Sequence, residues 1–329
     1  MRKRVVEFIL LTVLAVIFLS GCKKNVGTPE DNPVVEEEEE ASEPEANYLY
    51  GYSCADLTDP FYAALRDAVG AQVEQRKGQL LVRDAANDPA KQNVQLVEMI
   101  DKGVDLVFLT AADPTAVTPA LEALDEADIP VVLLETQIEE RDLTKAMLCS
   151  DNYNAGKVCG ENLKERMPEG GKLVIVENKE DKSLSEGVSG FEEKIKNGGF
   201  EVVKRIDGTK TEEMKTELSQ ILSSEAGTDV IMCANDQMAE AVRTMMKESG
   251  RNNILLYSIG GSPAVKAALL DSTAAIAGIG ARSPINEGKI AVKTAEAILD
   301  DGSYEEEVLV ETFFINRENV EIYGTDGWQ

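Results

Sequence analysis

Residues 48–85 read YLYGYSCADLTDPFYAALRDAVGAQVEQRKGQLLVRDA, and the pattern changes twice within them. YLYGYSC is a short, continuous apolar run, the mark of a strand covered on both faces. From Phe61 the apolar residues recur at steps of three and four. Phe61, Leu65, Ala68, Val69 and Val73 make one stripe, which predicts a helix with one buried face. QLLVRDA then returns to the strand pattern. Strand, helix, strand on this spacing is a parallel crossover unit.

The unit repeats. VDLVFLT, IPVVLLE, AMLCSD, KLVIVEN, DVIMCAN and NILLYSIG are further short apolar runs, and helical stretches lie between them, Met238, Ala241, Val242 and Met245 forming a second stripe. The fold class predicted is α/β, with doubly wound parallel sheets covered by helices. The strands are too many for one small sheet, and 329 residues are enough for two lobes.

Composition narrows the function. A formal charge of −27 excludes the basic face that a nucleic-acid reader needs. The chain has no histidine, which removes Ser-His-Asp and Cys-His catalysis and the commonest metal ligand. No CxxC pair or calcium-loop pattern is present, so no metal and no cofactor is expected. Cys54, Cys149, Cys159 and Cys233 match no compact disulfide scaffold. They read as buried thiols acting as small hydrophobes.

The first residues are an address. MRKR is a basic start, and FILLTVLAVIFL is apolar but short for a membrane span. LSGC, Leu19 to Cys22, resembles the bacterial lipobox. That resemblance implies a signal peptide at 1–21, removed before a Cys22 that carries lipid. Several acyl chains hold a protein durably on a bilayer, so an extracytoplasmic, membrane-anchored protein is expected. Residues 22–46 then form the lipidated cysteine and an acidic tether with five consecutive glutamates. Fully extended, the tether reaches roughly 80 Å.

In doubly wound sheets, function lies beyond the carboxyl ends of the strands. The first strand is followed by Asp56 to Tyr62, the third by TAADP, and the fourth by Glu135, Thr136 and Gln137. Ala234-Asn235-Asp236 follows IMC, and Ala281-Arg282-Ser283-Pro284 follows AGIG. These tips suit a small polar ligand. Helix capping alone explains Asp59 and Ser283, each placed before a proline. It does not explain Phe61 beside Tyr62, since only one of the two can join the helix's buried face.

Over Tyr48 to Val320 the chain resembles the ribose-binding-protein-like receptors of bacterial ABC importers, the type I periplasmic binding proteins. The anchors are DPFY, DAANDPAKQNVQLVEMIDKGVDLVFL, ADIPVVLLE, SDNYNAGKVCGENL, GFEEKI, ANDQMA and GSPAVKAALLD, in that order. The resemblance implies two α/β lobes joined by three hinge strands, crossing near Ser150, Arg282 and Glu311. The first lobe is then 48–150 with 283–311, and the second 151–282 with 312–329.

The resemblance further implies that Phe61 and Tyr62 stack on a sugar ring. Asp59, Glu135 and Asn235 take its hydroxyls, and Ser150 sits at the first crossing. Asp56, Thr136 and Arg282 complete the expected ligand-binding set. The chain also departs from the family pattern. Thr136 and Gly187 stand where arginines are usual, Gly260 where an acid is usual, and Arg282 where glutamine is common. The pocket has been rebuilt: the acids suit a polyol or an amine-bearing solute, and Arg282 a carboxylate. Alternatively the pocket is filled, and the protein signals or scaffolds.

The resemblance implies a monomeric, lipid-anchored receptor that hands a sugar or related solute to an ABC permease. A sensory receptor read by a membrane kinase or chemoreceptor is the alternative. Asp59 and Glu135 as a glycosidase pair is the weaker reading, since capping and ligand binding already account for both. A repressor of this fold needs an N-terminal helix-turn-helix, a place taken here by the leader and tether.

Overall fold

The computed structural model describes residues 47–224, 227–271 and 276–329. The leader, Cys22 and the acidic tether lie outside the described residues. No helix among the described residues is long and apolar enough to cross a membrane.

The first sheet holds β1 (Leu49–Cys54), β2 (Gln79–Asp84), β3 (Leu106–Leu109), β4 (Val131–Leu134), β5 (Ala146–Ser150) and β11 (Glu307–Val310). They lie in the order β11-β5-β4-β3-β1-β2, every pair parallel. Helices α1 (Pro60–Gln75), α2 (Pro89–Asp101), α3 (Thr118–Glu126) and α9 (Pro284–Leu299) belong with it, α1 packing on α9. Every residue of β3 and β4 is buried. That is why these strands read as unbroken apolar runs.

The second sheet holds β6 (Gly171–Glu177), β7 (Phe200–Asp207), β8 (Val230–Cys233), β9 (Leu255–Gly260), β10 (Ile276–Ala281) and β12 (Phe313–Ile315). Its order is β12-β10-β9-β8-β6-β7, with only β12 antiparallel to its neighbour. With it belong α4 (Asn152–Arg166), α5 (Lys182–Ile195), α6 (Thr211–Ser223), α7 (Asp236–Glu248), α8 (Pro263–Leu270) and α10 (Val320–Tyr323). Helices α4 and α5 cross backbone to backbone. A Cβ on Gly156 would lie 1.7 Å from the Gly187 carbonyl oxygen, so only glycine allows the approach.

The chain passes between the sheets after β5, after β10 and between β11 and β12. Residues 312–329, expected whole in the second lobe, do not all stay there. Trp328 packs against the first lobe's core and meets Phe61 edge-on, ring centroids 5.6 Å apart. The Gln329 carbonyl accepts from Ile285 N and Ser283 Oγ at the start of α9, and Lys266 of α8 donates to the Gly327 carbonyl.

Cys54, Cys149, Cys159 and Cys233 are buried and unpaired. Burial pushes the Cys54 thiol up to about 12, which keeps it protonated and unreactive.

Candidate functional site

Each sheet reverses its strand order once: between β1 and β3 in the first, between β6 and β8 in the second. At such a switch point the flanking loops diverge and leave a crevice. Here the two crevices face one another. The loops after β1, β6 and β8 and helices α6 and α7 line a cavity of about 410 Å3. A second cavity of about 300 Å3 adjoins it, lined by the loops after β1, β3, β4 and β6. Tyr62, Asn87, Asn178 and Asp181 line both. The sizes fall at the small-ligand end of binding sites.

Local chemistry positions the lining. Asp59 caps α1 through a 2.7 Å bond accepted from Phe61 N, and Asp181 caps α5 by accepting from Leu184 N. Asn235 caps α7 through Met238 N. Each cap leaves its side chain at a strand tip, so capping and lining are compatible roles. Asp56 accepts from Thr58 and, at 2.7 Å, from Asn87 Nδ2. Burial raises the Asp59 and Asp181 carboxyls above the usual range, with Arg282 opposing the rise at both.

Behind the lining lies a buried ionic cluster. Glu135, 4% exposed, accepts from Ser150 N at 2.8 Å and from Ser150 Oγ. Arg282 lies 3.6 Å from it. Burial would discharge Arg282, but the charges of Glu135 and Asp59 hold its pKa up. Glu287 is wholly buried beside this pair, within hydrogen-bonding reach of Glu135. Burial first, then the Glu135 charge, pushes its carboxyl well up, so it carries its proton. Glu135 also takes a left-handed backbone, φ 53°, on the order of 1 kcal/mol of strain for a non-glycine residue. From there its carbonyl accepts from Ser183 Oγ of the second lobe at 3.0 Å, and Gln137 Nε2 donates to Glu186 across the same gap.

Asp56, Asp59, Tyr62, Asn235 and Arg282 line the larger cavity, and Tyr62, Glu135 and Thr136 the smaller. Phe61 and Ser150 line neither. Phe61, 2% exposed, is the aromatic that joins the core. The Arg282 guanidinium covers its ring, 3.8 Å from the centroid, so the face expected to meet a sugar carries an arginine. Ser150 instead bonds Glu135 and borders a separate hollow with Tyr153 and Leu309. Asn87, Asn178 and Asp181 escaped the sequence reading. Asp181 follows a strand and opens a helix, the signal that marks Asp59, and was legible there.

The departure at Gly260 has a geometric cause. Its φ is 152°, and a Cβ would fall 2.4 Å from the Asp236 carboxyl carbon. Asp236 fills that space, accepting from Gly261 N, Ser262 N and Ser258 Oγ.

Two doubly wound lobes with their switch points turned on one polar cleft define a class of binding proteins. The chain belongs to the periplasmic binding protein domain family, whose model matches residues 50–303. It is 25% identical over 255 residues to the ribose import binding protein of Bacillus subtilis, covering 77% of this chain and 82% of that one. It is 26% identical to a galactofuranose-binding protein of Escherichia coli, covering 68% and 74%. Among solved structures it is similar to an ABC transporter solute-binding protein from Mycobacterium smegmatis with bound glycerol. That match has a TM-score of 0.79 and 23% identity, covering 86% of this chain and 99% of that one.

Proposed function

We propose that this protein is an extracytoplasmic receptor that captures a sugar or related polar solute between its lobes and delivers it to an ABC permease. It is a binding protein, not an enzyme. The observation that carries the reading is the pair of switch points converging on one cleft, with Tyr62 beside amides and acids from both lobes. An aromatic face takes the apolar side of a sugar ring, and carboxylates and amides take its hydroxyls. The ribose and galactofuranose receptors among its relatives support the class of solute.

Asp56, Asp59, Tyr62, Glu135, Thr136, Asn235 and Arg282 form the binding set, with Phe61 and Ser150 acting through Arg282 and Glu135. The two lobes follow the boundaries 48–150 with 283–311 and 151–282 with 312–329, apart from the Trp328 return. The receptor acts as a monomer, tethered through lipid on Cys22. Labelling of cells with a fatty acid tests the anchor: label is expected in the wild type and absent in Cys22→Ser.

The solute is tested by thermal unfolding against pentoses, hexoses and inositols. A solute at a hundred times its Kd stabilises the fold by about 2.7 kcal/mol, a rise of a few degrees in Tm. No shift with any of them, nor with amino sugars added to the panel, would refute the sugar-receptor reading.

A further inference from the structure

The cleft is acidic beyond what its two cations, Arg282 and Lys182, neutralise. Arg282 is committed to Glu135 at 3.6 Å and to the face of Phe61, so its charge is taken up within the protein and does not await a carboxylate. Asp56 is satisfied locally by Thr58 and Asn87. Asp59 and Asp181 remain, one from each lobe, both lining the larger cavity with Tyr62. Each is bonded only to backbone N–H groups of the helix it caps, and among the described residues neither forms an ion pair. Two half-buried carboxylates that share a cavity with one arginine, itself paired with Glu135, are costly once solvent is excluded.

A second, independent feature points to an occupant. Arg282 is 6% exposed and lines the same cavity, and its buried Nε–H has no acceptor. A ligand hydroxyl would satisfy it. The compensating charge is not a bare metal ion in kind: among the described residues no three acidic or cysteine side chains are grouped to hold one, whereas hard cations need six or more converging oxygens. Spread acceptors and an aromatic ring fit an organic cation, which gains charge-assisted bonds to the carboxylates and attraction to the Tyr62 face.

We propose that the solute is an amine-bearing sugar or polyol whose ammonium is neutralised by Asp59 and Asp181 beside Tyr62, an inference that rests on the sugar-receptor reading. Calorimetry on the purified full chain tests it, using hexosamines with the amine at carbon 2 or carbon 6. Their neutral parents and N-acetyl forms separate charge from bulk. At least one free amine is expected to bind ten times more tightly than both its parent and its N-acetyl form. Asp59→Asn and Asp181→Asn, which keep the helix caps, are expected to reduce that preference toward parity. Neutral sugars binding as tightly as every amine would overturn the proposal and leave the sugar receptor standing. An amine preference untouched by both variants would overturn the assignment to these two acids. Binding of no sugar at all would remove the reading on which the proposal rests.

Discussion

Glu287 and Arg282 make opposite demands on the same buried corner. Glu287 is 0% exposed and faces Glu135 and Arg282, with Cys149 and Tyr52 also close. Its pKa in the folded protein lies well above the unfolded value of about 4.3. The folded state therefore holds a proton that the unfolded state releases, and this contribution to stability falls as pH rises above that value. Glu287→Gln keeps the shape of the neutral acid and removes the titration. Melting from about pH 5 to about pH 8 is expected to show a smaller loss in the variant than in the wild type; parallel profiles would contradict the protonated assignment. Arg282→Met instead strands the Glu135 charge, which costs about 3 kcal/mol or more for a buried pair. Urea unfolding of that variant reads the loss directly, and a change below about 1 kcal/mol would mean that the pair does not hold the corner. Nothing in the sequence marked Glu287 as special, because it sits on an amphipathic helix among ordinary charged residues. Arg282 was legible as a site residue from its position after a strand, but its partner, the face of Phe61, was not.

At the scale of elements, the central strands were readable because burial on both faces leaves them apolar throughout. β7 was not. It is an edge strand whose residues are mostly exposed, so Glu201, Lys204 and Arg205 interrupt the run and hide the strand. β11 and β12 are four and three residues long and take their strand character from the sheets they join. The return of the last residues was also invisible, since it depends on Phe61 being in the core rather than in the cleft. Trp328 is the single tryptophan of the chain and touches the ring on which Arg282 stacks. Its emission is therefore expected to change saturably as solute fills the cleft. Constant emission at saturating solute would show the tail to be uncoupled from the site. Trp328→Ala, removing a half-buried ring, is expected to cost about 1–2 kcal/mol in chemical unfolding.

For the molecule as a whole, two parallel sheets and a cleft between them were legible in the alternation of strand and helix, and the tips lining the cleft followed from the rule for strand ends. Which tip residues face the cavity was not, because that depends on how one lobe's loops meet the other's. A solute that touches both lobes favours the closed arrangement by its differential binding. Driving a population from about 1:99 to 99:1 takes roughly 5.5 kcal/mol, so contacts on one lobe alone cannot serve. The most direct test is calorimetric affinity for the tightest-binding solute in Tyr62→Ala, which alters the first lobe, and Asn235→Ala, which alters the second. Both variants are expected to lose tenfold or more in affinity while remaining folded. Wild-type affinity in either one would contradict capture between the lobes.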